Sequence, residues 1–225
     1  MRSMETKVIK IPISLTTEEI KSKLRVMDEQ QIQNLLEVAN PLISAQAIYE
    51  VCYINEKIEG AVIIDGVRLS SQVLRKNLES VGRVFPYVVT IGAGLEGRFG
   101  ECKDLLEQYY LDQIGNIALT KARKHLEEHL RATFALDRLS FMSPGSLQDW
   151  PIEEQKPLFS LLKGAEELIG VRLNENLIMI PRKSVSGIFF PTDVTFLSCQ
   201  LCQRGKCEGR KAPFNEKLAE EYGTL

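Results

Sequence analysis

From about Glu96 to Phe134 the chain carries a helical pattern, and this stretch follows directly on the strongest strand candidate, Val84-Phe85-Pro86-Tyr87-Val88-Val89-Thr90-Ile91. A helix that long needs a broad apolar surface to lie on, because helices in proteins are stabilised mainly by packing an amphipathic face. Leu105, Leu106, Tyr109, Ile114, Ile117, Ala118 and Leu126 supply a stripe, and Gly115 on that stripe lets the helix approach a sheet closely. A break is expected near Gly97 to Gly100, and the mixed charges from Lys121 to Arg131 read as a solvated face.

The other elements are short. Lys7 to Ile13 reads as a strand, and Thr16-Thr17-Glu18-Glu19 announces a helix through a Thr cap and an acidic first turn. Glu29 to Val38 is a second helix and Ile43 to Glu50 a third, which makes the N-terminal third largely helical. Cys52-Tyr53-Ile54 is extended, and the strands Ala61–Ile64 and Val67–Leu69 are joined by the hairpin signal Asp65-Gly66. Ser70 or Ser71 caps a helix carrying Val73, Leu74 and Leu78, and Pro86 places its end of the strong strand at an edge or bulge. Ile152 to Leu162 reads as a short helix, with Leu177–Ile180 and Ile188–Phe190 as later strands. Strands and helices do not alternate as a doubly wound sheet requires, so the expected class is α+β with a mixed or antiparallel sheet.

A chain of 225 residues is long enough for one sizeable core. Hydrophobic residues at 44%, charged residues at 26% and a formal net charge of −2 describe an ordinary globular protein, with no basic excess to meet nucleic acid. Met1 to Leu15 lacks the apolar run of a secretory signal, and no apolar run approaches the roughly 20 residues that span a bilayer. The expectation is a cytoplasmic protein with no membrane segment. Five cysteines, an odd number, point to free thiols or metal ligands rather than a disulfide framework.

Three motifs carry possible chemistry. Cys199-x2-Cys202-x4-Cys207 has a spacing that lets thiolates converge on zinc or an iron–sulfur cluster, with Cys52 or Cys102 as a candidate fourth ligand. Gly92-Ala93-Gly94-Leu95-Glu96-Gly97 matches a dinucleotide-binding pattern, but the chain stays helical where a second parallel strand should follow, so a plain strand-to-helix turn is the better reading. His125 and His129 lie four apart among charged neighbours and read as a solvated helix face rather than a zinc pair.

Taken in order, Asp65-Gly66-Val67, the strand from Val84 to Gly92, Asp112-x2-Gly115, Ser143-Pro144-Gly145 and Ser184-x-Ser186-Gly187 resemble the activation domain of cobalamin-dependent methionine synthase. The chain resembles more closely the stand-alone proteins related to that domain, whose C-terminal ends can carry a cysteine-rich tail. The resemblance implies a single C-shaped α+β domain on a twisted, mainly antiparallel sheet flanked by helices. Residues 1–59 would pack on the same domain, residues 60–198 would form its core, and residues 199–225 the tail. It implies docking on a corrinoid (vitamin B12) protein or methyltransferase, and a part in reductive reactivation or methyl transfer with S-adenosylmethionine. The groove it implies is lined by Ser143, Pro144, Gly145, Ser184, Ser186, Gly187 and Phe189. Departures are local: Phe141 stands where the family has Arg, Ser146 where it has Tyr, and Phe189 where it has Tyr, which weighs against S-adenosylmethionine itself. Arg182 and Lys183 would meet an acidic partner surface or a corrinoid phosphate, or equally form a solvated strand end. The alternative is a non-catalytic metal or iron–sulfur electron carrier, or a cofactor-insertion partner, on the same scaffold, with Cys199, Cys202 and Cys207 as the ligands.

Overall fold

Arg83–Thr90 (β6) is the spine of the molecule in the computed structural model, which describes residues 6–24, 28–207 and 209–224. Along one side of β6 lie two strands in tandem, Gln46–Tyr49 (β2) against its second half and Cys52–Ile58 (β3) against its start. Along the other side lies a strand from near the C-terminus, Ser184–Pro191 (β10). Lys7–Lys10 (β1) extends the sheet beyond β2, Ala61–Ile64 (β4) and Val67–Ser70 (β5) extend it beyond β3, and Leu139–Met142 (β7) pairs with β10. Every pairing among these described strands is antiparallel, which gives the curled α+β sheet expected from the sequence.

Pro86 lies inside this central strand, not at an edge. Its carbonyl accepts from the Glu50 backbone N–H at 3.1 Å, so its nitrogen, on the same side, faces the turn between β2 and β3. The missing donor falls where the ladder changes partner and leaves no hydrogen bond unmade. The segment read as a third helix is instead β2: Ala47 and Ile48 are fully buried between β1 and β6, and this two-sided burial overrides an alanine-containing helical pattern.

Local signals elsewhere hold. Thr16 and Glu19 form a reciprocal capping box at Thr17–Lys21 (α1), and Asp28 caps Glu29–Ala39 (α2). Asp65 and Gly66 both take positive φ, 45° and 82°, at the β4–β5 turn. Ser71 caps Gln72–Asn77 (α3) through the Leu74 N–H at 2.9 Å. The long helical stretch divides into Gly94–Glu101 (α4) and Leu105–Phe134 (α5), with Asp104 capping the second. The break is therefore at Cys102–Asp104, slightly later than the glycines suggested. Gly94 is explained by packing, since a Cβ there would stand 2.4 Å from the Leu42 carbonyl oxygen. The remaining elements are Gln155–Leu161 (α6), Ala165–Ile169 (α7), the two-stranded ribbon Arg172–Leu173 (β8) with Met179–Ile180 (β9), and Glu216–Tyr222 (α8).

Two apolar layers follow from the strand alternation. Phe85, Tyr87, Val89 and Phe189 face α5, where Leu111, Ile114, Ala118, Ala122, Leu126 and Leu130 meet them. Val84, Met142, Ile188 and Phe190 face the opposite way, against Trp150, Leu158 and α3. Leu201 and Ala219 belong to this second layer, so the segment after residue 198 is packed into the core. Leu105, Leu106 and Tyr109, expected on the buried stripe, are 79%, 57% and 50% exposed at the start of α5. None of the described helices is long and apolar enough to cross a membrane.

Candidate functional site

Strand β10 divides the residues expected to line one groove. Side chains alternate along a strand, so Ser184 and Ser186 point to one face and Gly187 and Phe189 are not aligned with them. Ser184 donates to the Pro181 carbonyl at 2.6 Å and lies within hydrogen-bond distance of Thr90 Oγ1 at 2.9 Å, and Ser186 donates to Gln155 Oε1 on α6 at 3.4 Å. Both serines are buried and engaged within the fold. Phe189 is fully buried, stacked on Tyr87 with centroids 4.5 Å apart and edge-on to Phe141 at 5.8 Å. The segment from Ser184 to Gly187 is strand rather than a loop before one.

On the α5 face, Gly187 does meet Ser143. A Cβ at Gly187 would lie 2.4 Å from the Met142 carbonyl oxygen, 2.8 Å from Ser143 Oγ and 3.0 Å from the Tyr87 hydroxyl. Glycine is required here because three groups converge on its α-carbon. The Ser143-Pro144-Gly145 turn is itself built in: Gly145, at φ +80°, donates its N–H to the Trp150 carbonyl at 2.7 Å, and Ser146 donates to Ser143 at 3.1 Å. Asp149, a few residues on, accepts from Ser71 Oγ and from the Gln72 and Val73 N–H groups at 3.1 and 3.0 Å, tying the turn to the start of α3. Pro144 is buried, while Phe141, Ser143, Gly145 and Ser146 reach solvent.

Phe141 carries two cations. The Arg123 guanidinium from α5 lies over its ring at 3.8 Å, and Lys211 Nζ stands 5.2 Å from the ring centre. Arg123 falls within the charged stretch read as a solvated face, yet its Nη1 is buried without a hydrogen-bond partner. The Tyr87 hydroxyl is likewise buried and unpartnered. Burial holds Tyr87 above the ordinary phenol range; nearby Arg123 and Ser143 pull the other way but do not meet it in hydrogen-bonding geometry. Burial also pushes the Glu127 carboxyl up, against the opposing pull of Arg123 and Arg131, and pushes the Lys211 ammonium down, aided by Arg123.

The C-terminal segment that delivers Lys211 is organised by Arg210. Its guanidinium donates to the carbonyls of Cys199, Cys202 and Ala212, each at 3.2 Å, and to that of Arg204. The Lys211 N–H reaches Cys199 Sγ at 3.4 Å, and α8 docks through Tyr222, which stacks on Phe196 and donates to Asn77 at 3.2 Å. Cys199, Cys202 and Cys207 are free thiols. Among the described residues, no group of three or more His, Cys, Asp or Glu side chains is placed to hold a metal ion.

The other singled-out residues have structural partners. Lys183 Nζ pairs with Asp112 Oδ1 and Asn116 Oδ1, both at 2.7 Å, its stem crossing Gly115 where a Cβ would come within 3.2 Å. Arg182 pairs with Glu96 at 3.5 Å and stays exposed. His129 lies against Tyr49, 3.4 Å from its hydroxyl, and burial followed by the charge of His125 lowers its titration.

No known family's sequence profile matches the chain, and no curated protein matches it. Among solved structures it is similar to a crystal structure of the MetH reactivation domain bound to AdoHcy, with a TM-score of 0.62 and 14% sequence identity. The match covers 87% of this chain and 81% of that one. The chain therefore has the fold of the MetH reactivation domain.

Proposed function

We propose that this chain is an activation-domain-like protein that docks on a corrinoid-carrying protein or methyltransferase and takes part in its reductive reactivation or methyl transfer. The observation that carries this reading is the likeness to the MetH reactivation domain over 87% of the chain. The close approach of Gly187 to the Ser143 turn, where the motif resemblance puts the groove, supports it. The groove chemistry is its own: Phe141 replaces the expected arginine, and a guanidinium arrives over that ring from Arg123 of α5. A ligand related to AdoHcy would thus meet its cation from a different element. The exposed apolar start of α5, Leu105, Leu106 and Tyr109, offers the partner a contact surface.

The test is capture of cobalt from anaerobic host extract by the immobilised protein. Gly187→Val is unsuitable as the control because its side chain would strike the β7 backbone. The double variant Leu106→Glu, Tyr109→Glu changes exposed side chains only and keeps the fold. Cobalt enrichment by the parent, lost in the double variant, supports docking. No enrichment by the parent overturns it.

A further inference from the structure

The surroundings of Phe141 gather two cations that no carboxylate pairs with among the described residues. Two cations share one half-exposed ring, and neither Arg123 nor Lys211 forms an ion pair among the described residues. Like charges brought together cost free energy unless an anion joins them, and the cost rises as water is excluded. The Glu127 carboxyl acts on both cations, and its burial favours the neutral form. Cys199 Sγ accepts from the Lys211 backbone N–H at 3.4 Å.

The donors here have a shape. The Arg123 guanidinium carbon stands 3.8 Å from the ring centre, and the N–H edge of a guanidinium matches two oxygens of a carboxylate or phosphate. Lys211 adds a point charge from the C-terminal segment, and Ser143 a hydroxyl from the turn. Behind them, Tyr87 is 0% exposed with its hydroxyl unpartnered, and Arg123 Nη1 is buried and unpartnered. Buried polar groups are almost always satisfied, so two orphans beside two cations that form no ion pair among the described residues mark a place for an acceptor.

We propose that Arg123 and Lys211, with the hydroxyls of Ser143 and Tyr87, bind the anionic group, carboxylate or phosphate, of a small ligand seated on the Phe141 ring. The proposal deepens the groove reading above by naming the ligand class and a pair of cations drawn from α5 and the C-terminal segment. Its test does not involve the corrinoid partner, so either idea can fail without the other.

The full chain is titrated in separate arms with inorganic pyrophosphate and with succinate, at constant ionic strength against chloride, and binding is followed by isothermal titration calorimetry. The expected result is saturable binding in at least one arm, weakened tenfold or more in both Arg123→Gln and Lys211→Gln and unchanged in Lys206→Gln, an exposed lysine of the same segment. The arm that saturates tells phosphate from carboxylate. Lys211→Gln alters an exposed side chain and guards against misfolding of the Arg123 variant. A response that does not saturate in either arm, or that survives Lys211→Gln, overturns the proposal.

Discussion

Replacing Gly187 with alanine tests the tightest contact in the groove. The added Cβ would stand 2.4 Å from the Met142 carbonyl oxygen, whereas ordinary contact begins at 3.4 Å, so about 1 Å of displacement is needed. That oxygen is backbone of β7, at the residue paired with Ile188 of β10, and it cannot swing aside as a flexible side chain would. Overpacking typically costs about 1–3 kcal/mol. Distorting the adjoining ladder adds about 0.5–1.5 kcal/mol for a weakened hydrogen bond. The expected loss is about 2–4 kcal/mol, which for a chain of this size lowers Tm by roughly 5–15 °C. Urea unfolding followed by circular dichroism measures it, with Gly97→Ala as the control, since nothing lies within 4 Å of a Cβ there. A loss below about 0.5 kcal/mol at unchanged slope would refute the claim that glycine is sterically required.

Acid should weaken the N-terminal region through Glu19. Its hydrogen bond to Lys121 at 2.7 Å, and next the Thr16 backbone, lower its carboxyl below the ordinary value. The folded state therefore binds fewer protons, and the contribution is present above the unfolded value of about 4.3 and lost as pH falls through the lowered folded one. Glu19→Gln should flatten stability between pH 5 and pH 3 by no more than about 1 kcal/mol, because the pair is partly exposed; identical pH profiles for parent and variant would remove this role. Thiol labelling should order the cysteines. Cys207 is exposed and should react first, while Cys52 is fully buried and its thiol is pushed up by burial and then by Asp65, so it should react only on unfolding. Early alkylation of Cys52 in native protein would contradict the packing of β3.

Much of the framework was legible because its signals are local. Thr16 with Glu19, Asp65-Gly66 and Ser71 each define a cap or turn within four residues, and the structure uses each of them as read. What was illegible depends on partners far away in sequence. Ile43 to Glu50 has a helix-compatible pattern, and only the flanking strands β1 and β6 make part of it β2. Leu105, Leu106 and Tyr109 keep helical spacing but lie where α5 overhangs its support. Arg123 carried no local mark within a charged stretch, and Lys211 stood outside every motif considered. They meet because Phe141 of β7 lies beneath Arg123 of α5 and the C-terminal segment brings Lys211 to the same ring.

The alternation along β10 separates chain neighbours in what they influence. Ser186 and Gly187 share a peptide bond, yet the first reports to Gln155 of α6 and the second to Tyr87 and Ser143 on the other layer. Substitutions at 186 and 187 should behave nearly as if made in separate molecules, whereas a change at 187 should depend strongly on which residue occupies 143, forty-four positions earlier. Sequence drift along this strand is thus constrained in two interleaved series, one tied to α6 and one to the groove, and either series can change while the other stays fixed.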